Sequence, residues 1–194
     1  MRLELLDCVV GGYSLEHLLD SKENMELIAD FSVSNNAMGL ENYLKDCAEI
    51  DECEKNARTY LVKDDVSGEI VGYFSLRNGL ITIRVQDCEN ECFDTLPAIE
   101  LSNFAVNQKY KNKHPVSSKF GLLIFGEFIL PLVKEIGKFS GVNTLYIYAL
   151  PEERLISHYE KMGFERLPEN EEKFVHLHIK PKYDEDCIFM SQRI

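Results

Sequence analysis

The stretch Leu145-Tyr146-Ile147-Tyr148-Ala149-Leu150-Pro151, continued from Glu152 to His158 and closed by Tyr159-Glu160-Lys161-Met162-Gly163-Phe164, decides how this chain reads. Its first part is an apolar run with two tyrosines, stopped by a proline, which predicts a buried strand with a definite end. Leu155, Ile156, Tyr159 and Met162 then follow the spacing of one helix face. Gly163 stands where a helix takes a left-handed C-terminal residue, and Phe164 can fold back onto the last turn. Strand, tight link, short helix and Gly-Phe together hold one aromatic hydroxyl, that of Tyr159, at a fixed height beside a strand end.

Outward from this unit, Lys173 to Lys180 alternates as a strand, Pro181 to Asp186 reads as a turn, and Cys187 to Met190 as a final strand, giving a closing hairpin. On such a strand His176 and His178 share a face, a spacing that metal ligands use. No third ligand accompanies them, and no metal is expected. Glu152-Glu153 and Glu169 to Glu172 are acidic runs of the solvated kind. Upstream, Phe120 to Phe139 is a long apolar helix that Pro131 kinks or splits, because proline removes a backbone donor. Pro97 to Val106 is a strand, and Asn107 to Lys119 a polar loop.

Further upstream, Arg58 to Lys63 and Glu69 to Leu76 flank the turn Asp64-Asp65-Val66-Ser67-Gly68 and form an antiparallel hairpin. Asn78-Gly79 suits a tight turn, after which Leu80 to Val85 either pairs back or lengthens the sheet, and Gln86 to Asp94 is an exposed loop. The first third reads as helical after a brief opening strand. Ser14 caps a helix that starts at Leu15, Asn24 to Phe31 forms a second, and 36–56 a third. There is no internal repeat and no low-complexity linker. The whole, residues 1–194, is expected to be a single mixed α/β domain.

Composition sets bounds on function. With 194 residues, 45% hydrophobic and 28% charged, the chain has enough apolar material for a real core. No run approaches the ~18 apolar residues of a membrane span, and the opening Met1 to Asp7 is too short and too acidic for a signal peptide. A cytoplasmic protein without a membrane partner is expected. The net charge of −12 disfavours nucleic acid as a general partner, since gripping a phosphate backbone calls for a basic surface. The six cysteines form no Cys-x-x-Cys pair, so a zinc or dithiol site is not expected and the thiols read as reduced.

Against that acidic background, Lys109, Lys111, Lys113, His114 and Lys119 concentrate positive charge within eleven residues. They lie between the strand ending at Val106 and a helix that starts near Ser117 to Gly121. A loop feeding a helix N-terminus offers backbone N–H groups and a positive dipole end, which suits an anion such as a pyrophosphate. A solvated basic loop is the alternative. On the strand itself, alternation places Glu100, Ser102, Phe104 and Val106 on one face.

The order of these parts resembles the GNAT superfamily of acyl-CoA-dependent N-acetyltransferases. The likeness spans roughly Ala57 to Met190. It rests on Arg58 to Val62, Glu69 to Leu76, Leu101 to Val106, the loop through Gly121, and Leu145 to Phe164, with Tyr-Glu-Lys-Met-Gly-Phe close to that family's tyrosine and Gly-Phe ending. Asn42-Tyr43-Leu44-Lys45-Asp46 before Arg58 to Val62 looks like the branch with toxin-like members that acetylate aminoacyl-tRNA. The resemblance implies an α+β fold: a mixed, mostly antiparallel central sheet with helices on both faces and a splayed strand pair.

It also implies a chemistry. Acetyl-CoA would be the co-substrate, its pantetheine arm adding to the backbone of Phe104, Ala105 and Val106 and its pyrophosphate resting on the loop. Tyr159 would protonate the departing thiolate, and Glu100 would take the proton of the attacking amine. The family's loop reads Gln/Arg-x-x-Gly-x-Gly/Ala, whereas this chain has no glycine pair there. Lys111, Lys113, Ser117, Ser118 and the backbone up to Gly121 would hold CoA instead. The acceptor would be a small-molecule or peptide amine, with tRNA as a lesser alternative. A non-catalytic acyl-CoA-binding or partner-binding module stays open, as does a homodimer built on the C-terminal strand.

Overall fold

The computed structural model describes residues 11–85, 92–115, 119–178 and 186–194. Seven strands are hydrogen-bonded in the order β1-β2-β3-β4-β5-β7-β6. All the described pairings but one are antiparallel, and helices fill the connections. Two compact units make up the chain: Met1–Arg77 with Ser102–Leu132, and Asn78–Leu101 with Val133–Ile194.

The first unit begins with β1 (Tyr13–His17), where the sequence led to a helix capped by Ser14. The segment is a strand because β2 (Arg58–Asp64) offers it a ladder, from Tyr13↔Asp64 to His17↔Tyr60, and this pairing overrides the helical spacing of its leucines. Asn24, fully buried at the start of α1 (Glu23–Ala29), donates through Nδ2 to the carbonyls of His17 and Leu18 and so satisfies the end of β1. A short 3₁₀ turn leads into α2 (Met38–Asn42), a π-helical turn (Tyr43–Cys47) and α3 (Ala48–Cys53). The third helical stretch expected from the sequence is therefore present, overwound and underwound along its length.

The core of this unit joins Leu18, Ile28, Phe31, Leu44, Leu61 and Tyr73. At its margin Glu52 is buried. Burial alone would raise its carboxyl, but His17 Nε2 at 2.9 Å, the Thr59 N–H and the Arg58 guanidinium hold it below the ordinary carboxylate range. The hairpin of β2 with the first part of β3 (Ile70–Val85) follows expectation, with Arg58↔Leu76 through Val62↔Gly72 in register and a shift before Lys63↔Ile70.

After β4 (Cys92–Val106), residues 107–113 are not the polar loop the sequence suggested. They form α4 (Gln108–Lys113), started by Asn107. Its Oδ1 accepts from the Lys109 N–H, while its Nδ2 and N–H donate to the carbonyls of Ile70 and Val71. A side chain that caps a helix and closes a strand end in one step is what turns a polar run into a helix here. Phe120 to Ser140 is helical throughout, as α5 (Phe120–Ile124), a π-helical turn (Phe125–Ile129) and α6 (Leu130–Ser140). Pro131 is the second residue of α6, one residue beyond the π turn, at a place in the first turn where a missing N–H costs little.

The second unit contains the larger surprise. β3 runs straight through Asn78-Gly79 to Val85, so there is no turn. Cys92 to Asp94 belongs to β4, and the rest of the expected loop, 86–91, lies outside the described residues. β5 (Thr144–Ala149) pairs in parallel with β4 at Ile99↔Leu145 and Glu100↔Tyr146, and antiparallel with β7 (Ile188–Arg193) along its whole length. α7 (Glu153–Lys161) follows, then the short β6 (Glu165–Arg166), which pairs with β7.

Residues 169–178 form helix α8, not a strand, so the expected closing hairpin is absent. Glu169, Glu171 and Glu172 occupy its first turn, where the helix dipole favours negative charge, and His176 and His178 its last. Phe174 and Val175 are buried, Val175 against Ile81, Ala98, Tyr146 and Phe189. Two residues apart on a helix, His176 and His178 sit roughly 200° apart around the axis, which removes the shared face that a metal pair needs. The expected turn over 181–185 lies outside the described residues.

Candidate active site

Tyr159 occupies the third position from the end of α7, and its helix ends as the sequence indicates. Gly163 takes φ +94°, the Phe164 N–H donates to the Tyr159 carbonyl at 3.1 Å, and the Gly163 N–H donates to that of Glu160 at 2.9 Å. This double closure is a Schellman motif, completed by the edge-on contact of the Phe164 and Tyr159 rings at 5.7 Å. Phe164 is fully buried. The tyrosine is thus gripped at its backbone and at one ring face. Burial pushes its phenol up to about 12, so the hydroxyl keeps its proton throughout the physiological range.

Glu100 lies on β4 opposite Tyr146 of β5 and is itself 8% exposed. Tyr146 donates its hydroxyl to Glu100 Oε2 at 3.2 Å. Tyr148, on the same face of β5, has a phenol raised well above its ordinary value by burial and then by the Glu100 charge. Glu100 is thus a buried carboxyl that accepts a hydrogen bond from Tyr146. The structure therefore adds Tyr146 and Tyr148 to the residues expected from the sequence. Their i, i+2 spacing put them on one face, but nothing local tied that face to Glu100.

In the first unit, Phe104 and Val106 are half-buried and Ala105 is buried at the end of β4. Lys111 and Lys113 lie on α4, Lys113 paired with Glu69, and Lys109 with Asp30. These are exposed surface pairs, screened by solvent, which an anionic ligand can replace. Tyr110 anchors the segment: it is buried, stacks on His114 at 4.3 Å, meets Phe120 edge-on at 5.3 Å and donates to Asp64. Gly121 is the second residue of α5. Ser117 and Ser118 lie outside the described residues. Asn107, which sets where β4 stops and α4 starts, was not singled out from the sequence. An asparagine directly before a polar run was its only local signal.

No family model matches the chain, and no curated protein matches it in sequence. Solved structures do. A tyrosine-to-phenylalanine mutant of KacT superposes with a TM-score of 0.64 at 14% identity, covering 94% of this chain and 95% of that one. AtaTR bound with acetyl-CoA gives 0.58 at 17%, covering 93% of each chain. AtaT complexed with acetyl-methionyl-tRNA gives 0.58 at 14%, covering 91% of this chain and 93% of that one. At these identities the likeness establishes the fold, and the fold is the GNAT-like one that the order of the sequence elements implies.

Proposed function

We propose that this chain is an acetyl-CoA-dependent N-acetyltransferase that transfers the acetyl group to a primary amine by direct attack in a ternary complex. The observation that carries the reading is Tyr159, a protonated hydroxyl fixed by the Schellman closure of α7 on a fold shared with proteins crystallised with acetyl-CoA. The two-pair β4–β5 register supports it. Ile99↔Leu145 and Glu100↔Tyr146 form the parallel pairing that the fold calls for at this place.

The amine arrives as an ammonium and is inert until it loses a proton, which Glu100 takes directly or through water and passes to solvent. The nitrogen then attacks the thioester carbonyl, the N–C bond forms, the C–S bond breaks, and the electron pair goes to sulfur. Tyr159 donates its proton to that sulfur, and the second proton leaving nitrogen restores the phenol. A phenol near 12 and a thiol of about 8.5 are unequal acids, so donation is coupled to C–S cleavage rather than preceding it. Backbone groups of Phe104, Ala105 and Val106 hold the pantetheine amides. Lys111, Lys113 and the backbone at Gly121 would hold the pyrophosphate. The exposed Glu152 and Glu153 favour a cationic amine. The cytoplasm is the compartment where acetyl-CoA would meet this enzyme.

A second acceptor has a specific observation in its favour: AtaT, of the same fold, is crystallised with acetyl-methionyl-tRNA. The chemistry is unchanged, and an aminoacyl-tRNA replaces the small amine.

Calorimetric titration with acetyl-CoA, followed by acetyl transfer to a panel of amines, tests the reading. Saturable binding is expected. Tyr159→Phe should keep the acetyl-CoA affinity and lose roughly 10²–10⁴-fold in turnover. No binding at millimolar acetyl-CoA overturns the enzyme reading, and unchanged single-turnover acetyl transfer removes Tyr159 from it.

A further inference from the structure

Within the second unit, a cavity of about 650 Å³ opens between the outer half of β3, β6, α8 and the C-terminal half of β7. That volume suits one small organic molecule. Its walls hold an uneven set of charges. The chain has seven arginines and a net charge of −12, yet Arg84, Arg166 and Arg193 all line this one space. Glu165 and Glu171 share the lining with them, and Glu172 pairs with Arg166 from its margin. Arg84 lies over the Phe174 ring at 5.0 Å, and Arg166 reaches Glu172 at 3.3 Å, so both guanidinium planes are oriented.

The same walls hold buried polar atoms with no hydrogen-bond partner: the Thr82 hydroxyl oxygen and Gln192 Nε2. Thr82 as a whole is 7% exposed. Both groups can donate, and a buried donor left without an acceptor is costly unless a ligand supplies one. Ile81, Leu96, Phe174, Val175 and Phe189 provide an apolar floor.

We propose that this cavity is a binding site for a small amphipathic monoanion, a carboxylate carried on an aromatic or branched apolar body. Guanidinium forks match the two oxygens of a carboxylate, and the Thr82 and Gln192 donors complete its hydrogen bonds. Nothing in the acetyl-transfer reading uses Arg84, Arg166, Arg193 or Thr82, so the site stands whether or not that reading holds.

The test is an amide NMR titration of the full chain with 3-phenylpropionate, its neutral alcohol 3-phenylpropanol, and phenyl phosphate. Saturable shifts confined to Ile81–Arg84, Leu167–Val175 and Phe189–Arg193 are expected with the carboxylate. At least tenfold weaker binding is expected for the alcohol, and tenfold or greater loss in Arg193→Gln. Amide dispersion reports whether that variant is folded; if it is not, Arg166→Gln carries the same comparison. The proposal is overturned by no saturable shift up to about 10 mM carboxylate. Equal binding of the alcohol or the phosphate, or an affinity that neither arginine variant changes, also overturns it.

Discussion

Tyr159 shows how a helix end can set a side chain's chemistry. Its phenol rises from 10.0 to about 12 because burial penalises the phenolate. A group whose folded value is raised supports the folded state fully below the unfolded value, so this contribution is present below pH 10 and is lost as pH climbs toward 12. The hydroxyl therefore keeps its proton below pH 10, which suits the donor role proposed for it. Glu100 is the complementary group: a buried carboxylate that Tyr146 already orients at 3.2 Å. Glu100→Gln keeps the shape and the Tyr146 contact while removing the proton acceptor. It is expected to lower turnover by roughly tenfold to a hundredfold below the pKa of the amine, with less loss above it, and to leave the KM for acetyl-CoA unchanged. A pH–rate profile for the pair of proteins checks this, and an equal loss at every pH would assign Glu100 to structure alone.

At the scale of elements, β3 turns on a glycine. A Cβ at Gly79 would overlap the Tyr146 hydroxyl and lie 2.7 Å from ring carbon Cε1, and Tyr146 is buried with its ring stacked on Phe189. Glycine is there so that β3 can pass the tyrosine that holds Glu100, and Asn78-Gly79 is strand for that reason. Gly79→Ala is expected to destabilise the fold by about 1–3 kcal/mol, as overpacking does. The cost should shrink in a Tyr146→Phe background, where the overlapping oxygen is gone. Denaturant unfolding of the two single variants and the double variant measures the coupling, and strictly additive effects would mean that the close approach does not govern the site. The two π-helical turns are a second element-level feature: the one at Tyr43–Cys47 lets Tyr43 donate to Asp51 at 3.1 Å, across eight residues of helix.

For the molecule as a whole, the acidic balance and the fold point in different directions. A net charge of −12 argues against a broad grip on nucleic acid, while AtaT on the same fold is crystallised with an acetylated tRNA. Expression of the chain in a cell-free translation system with acetyl-CoA separates the acceptors. Arrest that requires acetyl-CoA and disappears with Tyr159→Phe assigns an aminoacyl-tRNA acceptor. Undisturbed translation by protein that acetylates small amines assigns those instead.

The strand β5, the helix α7 and its Gly163 closure were legible in the sequence because each depends on neighbours within a few residues: an apolar run stopped by proline, one helix face, a left-handed C-terminal glycine. So was the order of β2, β3, β4 and β5 that implies the fold, since each of these strands leaves an apolar run. Only the tertiary structure decided that residues 13–17 are a strand, that 108–113 and 169–178 are helices, and that β3 continues through Asn78-Gly79. In each case a partner far along the chain outweighs a local preference. β2 offers β1 a ladder, the carbonyls of Ile70 and Val71 hold the asparagine that starts α4, Val175 of α8 packs into a core with Ile81 and Phe189, and Tyr146 leaves room for no side chain at Gly79. Short-range hydrogen bonds can be read from residue order; contacts between distant residues exist only once the chain has closed on itself.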